Sequence, residues 1–167
     1  MDAKEVIIKA LEQSWGFLTK ALDGLTQEEF AWSPGPECNS IAFTLWHTAR
    51  VEDLFVNRII KREKELYVTE GWQKKMGTPD KAYQLTLEEL RAWPVPKMEE
   101  LRKYANAVHE KTMAFLNSVS AGKLDEVPRP DRSPDAIGTS LGHMSTEIAL
   151  HVGQICYLRG MQRGLDK

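Results

Sequence analysis

Residues 141–164, LGHMSTEIALHVGQICYLRGMQRG, predict a helix from about Leu141 to Arg163, capped by Thr139 or Ser140 and stopped before Gly164. The face expected to point inward carries His143, Glu147, His151, Gln154 and Leu158, a polar stripe where a purely structural helix would place leucines. Glu147 and His151 are four residues apart, so their side chains stack on one face about one turn apart. Together with His47, in the run LWHTARVED, they make a candidate set of two imidazoles and one carboxylate. Such donors suit one zinc, iron, nickel or manganese ion and leave positions open for water or substrate. Glu147 could instead pair with Arg50 or Arg159 in a structural ion network, because i,i+4 spacing and arginine pairing are common on helices.

Outward from this helix, the rest of the chain also has a helical period. Val6, Ile7, Ala10, Leu11, Trp15, Leu18 and Leu22 mark a first helix from about Asp2 to Leu22, ended by Asp23-Gly24. Thr26 with Glu29 is a capping-box pattern for a short turn through Ala31, and Ser33-Pro-Gly-Pro36 then forces irregular chain. Ser40 caps a second long helix, about Ile41 to Lys64, with His47 in its second turn. From Leu66 to Pro96 the pattern breaks, although Trp72, Tyr83 and Trp93 still need burial, so the segment is expected to pack as a cover over one end of the bundle. Within it Thr86 and Glu89 announce a short helix from Leu87 to about Ala92. A third long helix runs from about Lys97 to Ser118, followed by a polar, proline-bearing connection from Ala121 to Pro134. The expected fold is therefore all-α, a four-helix bundle with a long, partly helical loop between its second and third helices. The 167 residues fit one domain spanning 1–167.

Composition narrows the function by exclusion. A net charge of −2 with scattered basic residues offers no footprint for nucleic acid or an anionic membrane surface. The N-terminus MDAKEVIIKALEQ mixes charges with apolar residues, unlike a signal peptide, and no apolar run approaches the roughly 18 residues of a membrane span. A cytoplasmic protein acting on a small-molecule substrate is expected, and a homodimer fits the prevalence of two-fold oligomers. Cys38 and Cys156 form no CxxC pattern and are taken as plain thiols; His109 is taken as an ordinary solvent-side residue. No HExxH motif, phosphate loop, GxSxG elbow or pair of Glu-x-x-His motifs is present, so a single metal is the better count.

The pieces W-H-x-A-R-V-E-D around His47 and H-x3-E-x3-H-x-G-Q-I-x-Y-L-R around Glu147 and His151 resemble the DinB/YfiT-like metalloenzyme superfamily, and the similarity extends over nearly the whole chain. The resemblance implies a four-helix bundle with one metal, zinc foremost, held by His47, Glu147 and His151. Many members have a histidine where this chain has Glu147, whereas the branch resembling mycothiol-dependent maleylpyruvate isomerase has the same His, Glu, His set. His143, one turn before Glu147, is then a neighbour of the ligands or a proton-transfer group rather than a fourth ligand. The resemblance also implies an enzyme that activates a low-molecular-weight thiol for transfer or isomerisation. The alternatives are a hydrolase using water at the metal, or a non-enzymatic, stress-related metal-binding bundle. Arg50, Arg58 and Arg159 are the candidates for holding the carboxylates of a thiol.

Overall fold

The computed structural model describes residues 2–81 and 85–164. Among these the elements are α1 (Ala3–Leu22), α2 (Gln27–Ala31), α3 (Ile41–Asp53), a π-helical continuation of α3 (Leu54–Lys61), α4 (Leu66–Thr69), α5 (Trp72–Met76), α6 (Leu87–Arg91), α7 (Met98–Ser118), a 3₁₀ turn (Ala121–Asp125) and α8 (Ile137–Arg163). The long helices α1, α3, α7 and α8 form the expected bundle, with α3 packed against both α7 and α8, and α1 against α8. Leu11, Leu18, Phe30, Leu45, Trp46, Leu101, Leu116 and Leu141 are almost wholly buried between them. Each such side chain contributes roughly 1.5–3 kcal/mol of hydrophobic stabilisation.

Local chemistry starts most helices where the sequence predicts. Thr26 and Glu29 cap α2 reciprocally, as do Thr86 and Glu89 on α6, and the Ser40 hydroxyl accepts from the Phe43 amide at 3.1 Å. Three boundaries differ. The helix carrying His47 is α-helical only to Asp53 and then widens into a π-helix. Segment 66–76, expected as loop, forms α4 and α5, the latter bracketed by Gly71 and Gly77 in the left-handed conformation. Helix α8 begins at Ile137, not near Leu141, and its N-cap Ala136 makes no side-chain cap, so neither Thr139 nor Ser140 is the cap. The earlier start buries Ile137 and lets its amide donate to the Glu126 carbonyl at 2.9 Å.

The cover segment is anchored at two places. Trp72 lies beside Tyr104 of α7, with ring centroids 5.8 Å apart, and Trp93 meets Phe43 edge-on at 5.3 Å. Tyr83, a third expected anchor, lies outside the described residues. Beneath the cover, α3 buries three charged side chains, and each recruits a different partner. Asp53 is fully buried and accepts from the amides of Leu66 and Tyr67 at 2.9 Å, from Asn57 Nδ2 at 2.7 Å and from the Tyr104 hydroxyl at 2.9 Å. One carboxylate thus starts α4 and ties α3 to α7. Burial, then the Asp53 charge, raises the Tyr104 pKa well above its ordinary value, which keeps the hydroxyl a donor. Arg50 lies 3.7 Å over the Tyr67 ring; its Nη2 donates to the Asp80 carbonyl at 2.9 Å and lies 3.1 Å from Glu65. Burial raises the Glu65 pKa, and Arg50 offsets only part of that effect.

Glu52 is the third, and its partner corrects the sequence reading. His109 is not a solvent-side residue: its side chain is 12% exposed, its Nδ1 lies 3.2 Å from Glu52, and its ring stacks flat on Trp15 at 3.9 Å. The imidazole thereby joins α7, α3 and α1 at one point. The partner is 57 positions away in the chain, so spacing gave no signal of the pairing.

Two stability outcomes follow from these pairings. Asp53→Ala leaves four donors without their acceptor and should cost about 3–5 kcal/mol, read as a drop in Tm of about 6–20 °C for a chain of this size. A drop no larger than that of an exposed substitution such as Lys103→Ala contradicts the role assigned to Asp53. Arg163 Nε donates to Glu29 at 2.7 Å and, with the Thr26 amide, lowers the Glu29 carboxyl from 4.5 to about 2. A depressed folded pKa stabilises above the unfolded value and loses that contribution as pH falls through the folded one. Glu29→Gln should therefore flatten the acid limb of stability between about pH 4.5 and 2, measured as Tm against pH.

Candidate metal centre at the α3–α8 seam

Helices α3 and α8 run antiparallel in one constant register. His47 meets His151, with ring centroids 4.7 Å apart and planes nearly perpendicular; two turns further along α3, Phe55 meets His143 at 5.5 Å. The same register sets Val51 across from Glu147 and Thr44 across from Gln154. Thr44 and Gln154 line one cavity of about 530 Å³, while Phe55 and His143 line another of about 540 Å³, so the seam has a hollow at each end.

The polar stripe of α8 runs along this seam and not into the core, which corrects the inward orientation read from the sequence. The core-facing side is Leu141, Met144, Ile148, Val152 and Ile155, all buried. His143 is 63% exposed, Glu147 32% and His151 17%. Gln154 is exposed and its Oε1 lies 3.0 Å from His151 Nδ1. An amide oxygen only accepts, so this contact suits the tautomer with its proton on Nδ1, which leaves the Nε2 lone pair over. That Nε2 is buried without a hydrogen-bond partner, 3.5 Å from Glu147 Oε2. Two acceptors facing each other at that distance need a cation between them, either a proton or a metal ion. Two ligands of a tetrahedral ion at about 2.1 Å lie about 3.4 Å apart, so the spacing suits a metal.

The remaining predicted residues are distributed as follows. His47 lies between Phe43, whose ring is 6.3 Å away and nearly parallel, and His151. Among the described residues no three His, Cys, Asp or Glu side chains are drawn into a closed metal cluster; the close pair is Glu147 with His151, and His47 joins through its ring. His143 Nε2 stands 3.9 Å from Glu147 Oε1, on the side away from His151. The carboxylate therefore has one imidazole on each oxygen. Arg50 and Arg58 share a cavity of about 480 Å³ with Val51, while Arg159 lies elsewhere, its Nη1 donating to the carbonyls of Ala21 and Asp23 at the end of α1. The arginine alternatives for Glu147 are thus engaged with other groups in the interactions described. Cys156 is half-buried and burial raises its thiol pKa, opposed in part by Arg159; Cys38 is exposed. Sequence reasoning missed Gln154 as the group that orients His151, although it stood on the stripe three residues on.

The comparisons agree with this architecture. The crystal structure of a conserved protein from Enterococcus faecalis superposes with a TM-score of 0.86 at 23% sequence identity, covering 99% of each chain. No curated protein matches the chain. No helix among the described residues is long and apolar enough to cross a membrane. The family model of the DinB superfamily matches residues 10–155, spanning α3, the cover, α7 and most of α8, and the chain therefore belongs to the DinB superfamily.

Proposed function

We propose that the protein is a metal-dependent enzyme in which His47, Glu147 and His151 hold one divalent ion, zinc foremost, and that it transfers or isomerises a small substrate with the help of a low-molecular-weight thiol. The observation that supports the metal is the orphaned His151 Nε2 beside the Glu147 carboxylate. The contact of the His47 and His151 rings across the seam, with Glu147 one turn from His151, supports adding His47 to the set. A bound ion would act as a Lewis acid and favour the thiolate of an incoming thiol by lowering its pKa.

The protein's own groups have separable tasks in this reading. Gln154 holds His151 in the tautomer that offers Nε2. His143, exposed at the mouth of the neighbouring cavity, carries a proton to or from the substrate while Glu147 orients it. Neither cysteine serves as nucleophile: Cys156 has a raised pKa and Cys38 lies on an exposed loop. The thiol therefore comes from solution.

Elemental analysis of purified protein tests the ligand set. His47→Ala should lose most of its metal, while Cys156→Ala and Lys103→Ala keep the unmodified content; equal content in all four proteins rejects the assignment. Cobalt substitution tests the thiol. Millimolar thiol should change the visible cobalt spectrum, more strongly as pH rises toward neutrality, because thiol and imidazoles compete for protons in acid. A cobalt spectrum unchanged by thiols on the order of 1–10 mM would favour hydrolysis or a non-enzymatic bundle.

A further inference from the structure

Beyond the seam, the end of the bundle past His143 concentrates arginine. Three cavities of about 480, 260 and 540 Å³ share walls there: Arg58 lines the first two, and Arg129 the last two. Arg50, Arg62 and Arg132 line these cavities too, so five of the chain's nine arginines border one groove, beside the carboxylates of Glu63, Glu65, Asp80, Asp131 and Asp135. These carboxylates are already engaged: Glu65 with Arg50 and Arg58, Asp80 with Arg50, Asp131 with Arg132 at 3.8 Å, Glu63 with Lys61, and Asp135 with the Ser133 hydroxyl, which leaves Arg62 and Arg129 outside these pairs.

Two further features point to a ligand. Ser140 is only 6% exposed, lines the largest of these cavities and makes no side-chain hydrogen bond to any described residue. The backbone is also shaped for the groove. The π-helix carries Phe55 and Arg58, and Arg62 at its end adopts φ of 61°, a left-handed conformation uncommon outside glycine. The uncapped N-terminus of α8 adds the positive end of a 27-residue helix at Thr139 and Ser140.

We propose that this groove binds a small polyanion, through two or more carboxylate or phosphate groups. Its largest cavity reaches His143, and Ser140 lies seven residues before Glu147 on α8, roughly 10 Å along the helix. The anion is then the far arm of the molecule whose other end meets the seam; that connection rests on the function proposed above, whereas the anion site rests on the arginines and cavities alone. A ligand bearing two anionic groups engages Arg129 and Arg132 near His143, and Arg58 further along.

Isothermal titration calorimetry of the full chain with tricarballylate and with pyrophosphate, against acetate at matched ionic strength, tests this. Saturable binding of at least one polyanion is expected, and the tighter probe identifies carboxylate or phosphate as the preferred group. Arg129→Gln with Arg132→Gln should weaken it by at least about tenfold, and Arg58→Gln, at a half-exposed position that does not threaten folding, by about threefold or more. Lys103→Gln on the outer face of α7 should stay within about twofold. His47→Ala should still bind, which separates failure of the metal assignment from failure of the groove. No saturable heat up to about 10 mM, or equal weakening by Lys103→Gln and the arginine variants, overturns the proposal.

Discussion

A charged side chain in a protein interior must be paired, because leaving it alone costs several kcal/mol, and α3 carries three of them within four residues. Arg50 takes the cover segment through Glu65 and Asp80. Glu52 takes α7 through His109, and Asp53 takes the first turn of α4 together with Tyr104. These partners lie on two sides of α3 and leave little freedom for it to rotate about its axis. With that rotation set, His47 faces α8. The position of the candidate metal ligand is thus a consequence of where the buried charges of its own helix must go.

The seam shows the opposite economy. Where the rest of α8 buries leucine, isoleucine and valine, the stripe from His143 to Gln154 keeps partly exposed polar groups that satisfy one another incompletely. A bundle built for stability alone would close this seam with apolar side chains, which cost nothing to desolvate. Retaining an imidazole lone pair against a carboxylate makes sense when a cation completes the set. The seam has a hollow at each end, and on the proposed reading these are the two approaches for a substrate, the arginines past His143 favouring an anionic one.

How much of this was legible in the sequence depends on the range of the interaction. The capping boxes at Thr26 and Thr86 and the Ser40 cap are local pairs three residues apart, and they were readable as such. Glu147 and His151 were readable for the same reason, being one helical turn apart. His47 entered only as the second imidazole completing the set with Glu147 and His151, and the family resemblance strengthened it, because a lone histidine on a helix has many ordinary uses. Asp53 and Tyr104, 51 residues apart, and Glu52 and His109 left no local trace. The π-helix was invisible because widening a helix changes its hydrogen-bond ladder without altering the residues that favour helix. The outward tilt of the α8 stripe was missed because periodicity groups residues on one face without giving the angle at which that face meets its neighbours.

The most direct measurement is X-ray absorption at the zinc edge on the zinc-loaded full chain in thiol-free buffer. The account predicts nitrogen and oxygen neighbours alone, at about 2.0–2.2 Å, with the multiple scattering of two imidazole rings that disappears in part in His47→Ala. A sulfur neighbour at about 2.3 Å, or zinc bound without imidazole scattering, would contradict it.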